Sequence, residues 1–174
     1  MKRLLTLTVL ICFSVVIAEK AKAQGGFGGV HANSEFTSHG NLLMIGGGGA
    51  WVINPNFYLG GAGYGSANSV ATPNGEFNSL GYGGLMLGYF SELKESVRFG
   101  GDVLAGSGGY SLDDISESFY FLEPNIKVWY SINHTMHLSA GVYYRIAYLN
   151  ADANLNQQHL NNFGIKLSVN FGNL

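Results

Sequence analysis

Six ionisable residues stand at alternate positions of segments that are otherwise apolar or small: Arg98, Asp102, Glu123, Lys127, Arg145 and Lys166. In an extended chain such spacing puts every charge on one face. The set holds four bases and two acids, a formal +2. If that face is enclosed, its charges have to be paired or hydrated, because an isolated buried charge is very costly. Two kinds of chemistry follow. One is a structural plug of salt bridges and water. The other is a narrow pathway with a weak preference for anions, drawn by the positive excess. No other constellation competes with this one. The chain has no GxxxxGK[ST] phosphate loop. His31, His39, His134, His137 and His159 show no metal-ligand spacing. Glu76, Asp113, Asp114, Glu117 and Asp152 lack a DxDxDG-type calcium loop and read as a solvated acidic surface. Asn133-His134-Thr135 matches a glycosylation sequon by composition alone. No catalytic, metal or cofactor site is expected.

The segments that carry the six charges read as strands. From Phe119 to Leu149 the residues alternate with a period of two. Tyr120, Leu122, Ile126, Val128 and Tyr130 oppose Phe121, Glu123, Lys127 and Trp129; after a break at Ser131–Thr135 the alternation resumes. This is the signature of two half-buried strands joined as a hairpin. Eight strands are expected in all: Gly26–Ala32, Leu42–Ile53, Phe57–Gly65, Leu80–Phe90, Val97–Ala105, the two of the hairpin, and Asn162–Phe171. The connections alternate. Asn54–Asn56, Ser91–Ser96 and Ser131–Thr135 are short; Asn33–Asn41, Ser66–Ser79, Gly106–Ser118 and Leu149–Asn161 are longer. Short turns on one rim and longer loops on the other are the arrangement of an outer-membrane barrel, and an even strand count puts both termini at the short-turn rim. The apolar spans leave little surplus for strands to protrude. With the hairpin turn centred near Asn133, Glu123 falls opposite Tyr143 and diagonally from Arg145. Pro124 lies within a strand yet has no N–H, so a bulge or a missing ladder bond is expected there.

The N-terminus reads as an export signal over residues 1–23. Lys2 and Arg3 precede the apolar run Leu4–Ala18, and Ala21-Lys22-Ala23 offers a small-x-small cleavage site before Gln24. Removing it takes away four of nine basic residues, one of eleven acids and the only cysteine, Cys12. The rest is one domain, 24–174, with net charge −5 and no thiol chemistry. An acidic chain with five basic residues is not a nucleic-acid binder. A soluble domain makes about 25–35% of its surface charged; only fifteen of these 151 residues are. No stretch after Ala18 is an apolar span of helix length, which leaves an all-β, eight-stranded antiparallel up-and-down transmembrane β-barrel. The apolar face belongs in lipid. It ends in aromatics that form interfacial girdles (Phe57, Phe90, Phe99, Tyr130, Tyr148, Phe163, Phe171), while Phe119, Phe121, Trp129 and Tyr143 on the mixed face suit an interior.

The export signal, the eight alternating strands, the one-sided long loops and the final Phe163-x-Ile165-x-Leu167-x-Val169-x-Phe171 strand resemble the small outer-membrane β-barrel family of Gram-negative bacteria, the OmpA-transmembrane-domain and OmpX-like group. The resemblance spans 24–174 and rests on pattern. It implies a monomer embedded in outer-membrane lipid and lipopolysaccharide and inserted by the barrel assembly machinery. The role it implies is non-enzymatic, either structural in the envelope or interactive at the surface. In that family the last strand often ends on its aromatic; here Gly172-Asn173-Leu174 follows. His137-Leu138-Ser139 resembles the His-x-Ser pair of a lipid A deacylase, which makes a lipid A-modifying enzyme the further alternative. The pair lies at the short-turn end, far from outer-leaflet lipid A, with no glutamate following in its strand.

Overall fold

The computed structural model describes residues 25–37, 40–72, 75–94, 96–112, 115–149 and 160–173. Residues 1–23, expected as an export signal, the carboxylates Asp113, Asp114 and Asp152, and His39 and His159 lie outside the described residues. Ten strand segments are present: β1 (Gly25–Thr37), β2 (Gly40–Val52), β3 (Phe57–Ser66), β4 (Val70–Thr72), β5 (Gly75–Lys94), β6 (Val97–Leu112), β7 (Ile115–Ser131), β8 (Met136–Tyr144), β9 (Ile146–Leu149) and β10 (Phe163–Gly172). They make eight staves. β4 follows β3 along β5, and β9 continues β8 along β7. All pairings are antiparallel. β1 pairs with β10 as well as with β2, and β3 pairs with β5, so the sheet closes on itself as an eight-stranded barrel.

Closure sets the two faces. Along each stave one set of side chains points to the lumen and the alternate set points out. Val30, Ile45, Leu85, Leu87, Ile126 and Leu167 are exposed on the outer wall. Trp51, Phe57, Tyr89, Phe99, Tyr130 and Phe171 ring it near the short turns, and Phe36, Tyr120, Tyr144, Tyr148 and Phe163 near the other end. Phe90, expected in the girdle, points inward and is fully buried. In β5 the outward set runs Leu85, Leu87, Tyr89, so Tyr89 takes the girdle place. Two short turns are held by asparagine side chains. Asn54 Oδ1 accepts from the backbone N–H groups of Asn56 and Phe57, both at 2.9 Å. Asn133 Oδ1 accepts from those of Thr135 and Met136, at 2.9 and 2.8 Å. The sequon-like Asn133 and Thr135 are thus partners in a turn.

Several boundaries move outward. β1 reaches Thr37, five residues past the expected end, so Asn33 and Glu35 belong to a strand. β5, β6 and β7 contain 20, 16 and 17 residues, against the roughly 9–11 that a tilted bilayer crossing needs. The stretches expected as longer loops, Ser66–Ser79 and Gly106–Ser118, are largely paired: β5 joins β6 out to Phe77↔Leu112, and β6 joins β7 out to Leu112↔Ile115. Their Ser and Gly content reads as loop, but neighbour pairing overrides a composition signal. These strands therefore protrude, contrary to the small surplus expected.

At Pro124 the ladder to β6 is continuous through Val103↔Pro124. On the other side it stops. β7 pairs with β8 up to Asn125↔Tyr143 and resumes with β9 at Leu122↔Ile146. The register is the same across the gap, so there is no bulge, only an interruption where proline cannot donate. The hairpin register centres on His134 instead of Asn133, with Ser131 opposite His137. Glu123 consequently lies opposite Arg145, and Asn125 takes the place opposite Tyr143.

Candidate functional site: a charged and aromatic lumen

The lumen is built by glycines that give way to rings. Tyr58 pairs across the strands with Gly88, Tyr64 with Gly46 and Tyr143 with Gly164. A Cβ on any of these glycines would meet the ring of its partner. Each tyrosine thus lies over a residue with no side chain, the aromatic–glycine pairing by which sheets cover weak strand positions. The rings bring their hydroxyls to the barrel axis, where the charges are.

Three ion pairs fill that space among the described residues. Arg145 donates two parallel hydrogen bonds to Glu35, Nη1 to Oε1 and Nη2 to Oε2, each 2.6 Å, and both side chains are fully buried. A bidentate fork of this kind satisfies guanidinium and carboxylate together. Tyr143 donates its hydroxyl to Glu35 Oε1 at 3.0 Å, and the Tyr82 ring lies 4.7 Å from the guanidinium carbon. Arg145 Nε donates to the Leu160 carbonyl at 3.1 Å, which ties the entry to β10 over the charge layer. Below, Lys166 Nζ reaches Glu123 Oε1 at 2.8 Å while Tyr82 donates to Glu123 Oε2 at 2.9 Å. The Lys166 ammonium also sits 4.5 Å from the Tyr64 ring centre and 4.8 Å from that of Tyr143. Lys127 pairs with Asp102, which accepts from the Tyr58 hydroxyl at 2.6 Å and from Asn125 Nδ2 at 3.4 Å. Lys127 further lies 4.9 Å from the Trp129 ring.

Five of the six charges read from the sequence are therefore brought together. Arg98 stands apart, half-buried at the short-turn mouth with its guanidinium 4.9 Å from the Phe90 ring. Glu35 was not among the six, yet it is the partner of Arg145. Its strand carries a usable signal: Val30, Ala32 and Phe36 alternate with His31, Asn33 and Glu35. Glu117, expected on a solvated acidic surface, also faces inward and accepts from the buried Tyr110 hydroxyl. Counting Glu35 and Glu117, the inward excess among the described residues falls from +2 to zero, and the three pairs are internally neutral. That removes the positive lining on which an anion pathway would rest.

Apolar layers close over the charges. Leu42, Leu80, Phe119, Phe121 and Leu160 are buried toward the long-connection end. Tyr58, Phe90 and Trp129 pack together on one side of the short-turn end, with ring centres 5.3 to 6.1 Å apart. His137 and Ser139 do not form a base–nucleophile pair. His137 Nδ1 meets Ser131 Oγ at 2.8 Å and its Nε2 meets the Gly172 carbonyl at 3.1 Å, while Ser139 bonds Ser168. With Nε2 donating to that carbonyl, Nδ1 is the acceptor and both ring nitrogens are engaged. No group of three His, Cys, Asp or Glu placed to hold a metal ion occurs among the described residues.

No protein-family model matches the chain. No curated protein matches it either. Solved structures do. The N-terminal β-barrel domain of Pseudomonas aeruginosa OprF superposes with a TM-score of 0.57 at 11% identity, covering 86% of this chain and 99% of that one. Ail, the attachment invasion locus protein of Yersinia pestis, gives 0.54 at 13%, covering 85% and 96%. Neisserial surface protein A gives 0.55 at 16%, covering 86% and 95%. At such identities the likeness is one of fold: the chain has the closed eight-stranded architecture of small outer-membrane β-barrels.

Proposed function

We propose that this chain is a non-enzymatic protein of the Gram-negative outer membrane. It would be exported by residues 1–23, inserted by the barrel assembly machinery and present as a monomer surrounded by lipid and lipopolysaccharide. Its role would be structural in the envelope, with its long-connection rim meeting partners at the cell surface. The observation that supports this best is the filled lumen. Three mutually neutral ion pairs, their tyrosine partners and the apolar layers above them leave a rigid platform in place of a conduit. The protruding β5, β6 and β7 supply ordered surface beyond the bilayer.

The chemistry of the rim narrows the partner. Ail has been solved in complex with the heparin analogue sucrose octasulfate. Recognition of a polysulfate rests on exposed Lys and Arg. After Ala23 this chain has five basic residues: Lys94 at the short-turn end of β5, and Arg98, Lys127, Arg145 and Lys166. None falls in the long-rim connections, which hold amides, hydroxyls and carboxylates. The rim therefore suits neutral or cationic partners. Fractionation, gel mobility with and without boiling, and planar-bilayer recording test the whole reading. Outer-membrane fractionation, a heat-dependent shift and a silent bilayer are expected. A soluble protein without the shift overturns the placement, and steady conductance overturns the filled lumen.

A further inference from the structure

The two ends of the lumen are lined differently. Toward the long connections the described side chains that cover the charge layer are chiefly apolar, namely Leu42, Leu80, Phe119, Phe121 and Leu160, with the Tyr110 hydroxyl bonded to Glu117 one step further out along β6 and β7. Toward the short turns the aromatic cover of Tyr58, Phe90 and Trp129 belongs to β3, β5 and β7. The wall facing it, made by β1, β8 and β10, carries buried polar groups instead.

These groups form a strip. It starts at a mouth cavity of about 450 Å³ whose lining is polar except for Ile132 and includes Arg98, Ser131, Asn133 and His137. From His137 it passes to Ser139, which bonds Ser168, and to Asn170, whose Nδ2 donates to Ser168 Oγ at 3.1 Å. Ser168 is the cross-strand partner of His31, which meets the Tyr64 hydroxyl at 2.9 Å. Two residues further along β1 comes Asn33, opposite Lys166. Asn33 is 3% exposed, and neither Oδ1 nor Nδ2 of its side chain has a hydrogen-bond partner in the protein. Buried amides are almost always satisfied, and in a polar setting water is the group that does it.

We infer that water enters the lumen from the short-turn end only, follows this strip to hydrate Asn33 beside the Glu123–Lys166 pair, and stops beneath the apolar cap. The barrel is then a dead-ended water channel. Its charge layer is solvated from one side, which lowers the cost of holding ions inside a membrane while the cap prevents passage. This goes beyond the envelope role and shares with it only the sealed cap.

NMR water-to-protein cross-relaxation on the wild-type chain, folded in nanodiscs of deuterated lipid, tests it. Water contacts are expected at the side-chain amide protons of Asn33 and Asn170, and none at the methyls of Leu42, Leu80 and Leu160. Absence of water contact at Asn33 overturns the inference, and so does contact at Leu160 equal to that at Asn33. A Ser139→Val/Ser168→Val variant that still folds is expected to lose the Asn33 contact; a retained contact overturns the path. If that variant does not fold, the wild-type profile decides alone. Fractionation and gel mobility do not enter this readout, so the inference and the envelope role fail separately.

Discussion

Glycine serves opposite ends on the two faces of this barrel wall. On the inner face Gly46, Gly88 and Gly164 lie beneath tyrosine rings, and a Cβ would collide with those rings. On the outer face Gly63 and Gly81 have their nearest neighbour 3.7 Å from a hypothetical Cβ, and Gly65 has none within 4 Å. The inner glycines are required by the volume of a narrow lumen that must also hold three ion pairs. Those three are not required by packing within the chain, unlike Gly47, Gly83 and Gly101 of the same face, where a backbone carbonyl lies under 3.0 Å from a hypothetical Cβ. One residue type in neighbouring positions is thus a structural necessity on one side and, at those three places, a tolerated bareness on the other. A lumen packed to interior density registers each added methyl, whereas a lipid-facing wall has fluid chains that accommodate it.

Four substitutions would break or sharpen this contrast, the largest effect first. Glu35→Ala leaves the Arg145 guanidinium buried without its carboxylate and is expected to cost about 3–5 kcal/mol, read as a lower urea midpoint for the barrel in vesicles. Were its midpoint to stay at the wild-type value, the Glu35–Arg145 pair would not be the keystone of the lumen. Leu85→Arg, on the outer wall, puts a charge in hydrocarbon at about 2–4 kcal/mol; the same unfolding series in vesicles checks it, and a neutral result would mean that the apolar set does not face lipid. Gly88→Ala drives a methyl into the Tyr58 ring and strains its bond to Asp102, for an expected loss of about 1–3 kcal/mol. Gly65→Ala, its outer-face counterpart, is expected to be neutral or to stabilise by about 0.4–1 kcal/mol through the unfolded chain. Heat-dependent gel mobility separates these last two: the midpoint should fall for Gly88→Ala and hold or rise for Gly65→Ala. Equal shifts would erase the distinction between the faces.

Much of the wall is legible in the primary structure, because the alternation of strand side chains is a local property with a period of two. Spacing alone separates the set Leu122, Ile126, Val128 and Tyr130 from the set Phe121, Glu123, Lys127 and Trp129; that the first faces outward rests on its aromatic ends and on the large residues of the second. Strand ends are less legible. Gly106–Ser118 has the composition of a loop, yet its backbone pairs with neighbours almost throughout, and composition carries no information on whether a partner strand continues alongside. The phase of β5 went astray for a related reason: Tyr89 and Phe90 are adjacent aromatics, and only the register with β3 and β6 tells which one faces lipid. Pro124 was legible as a break, because a missing N–H is a covalent fact, while the absence of a bulge depends on β8 and β9 keeping a common register on both sides of it.

The charges divide in the same way. That Arg145, Lys166, Lys127, Glu123 and Asp102 face inward follows from their own strands. Which of them meet does not. Glu123 lies opposite Arg145 in register but is bonded to Lys166, and Arg145 reaches across to Glu35, 110 residues away in the chain. Alternation determined the class of fold and the division into two faces, since each depends on one strand at a time, and the aromatic ends of the apolar set marked it as the outer wall. Only the closed tertiary structure decided the pairing of the ions, the glycine beneath each tyrosine and the polar strip to Asn33. Those depend on how eight staves are staggered around a common axis, and the stagger is set by all of the strand registers together.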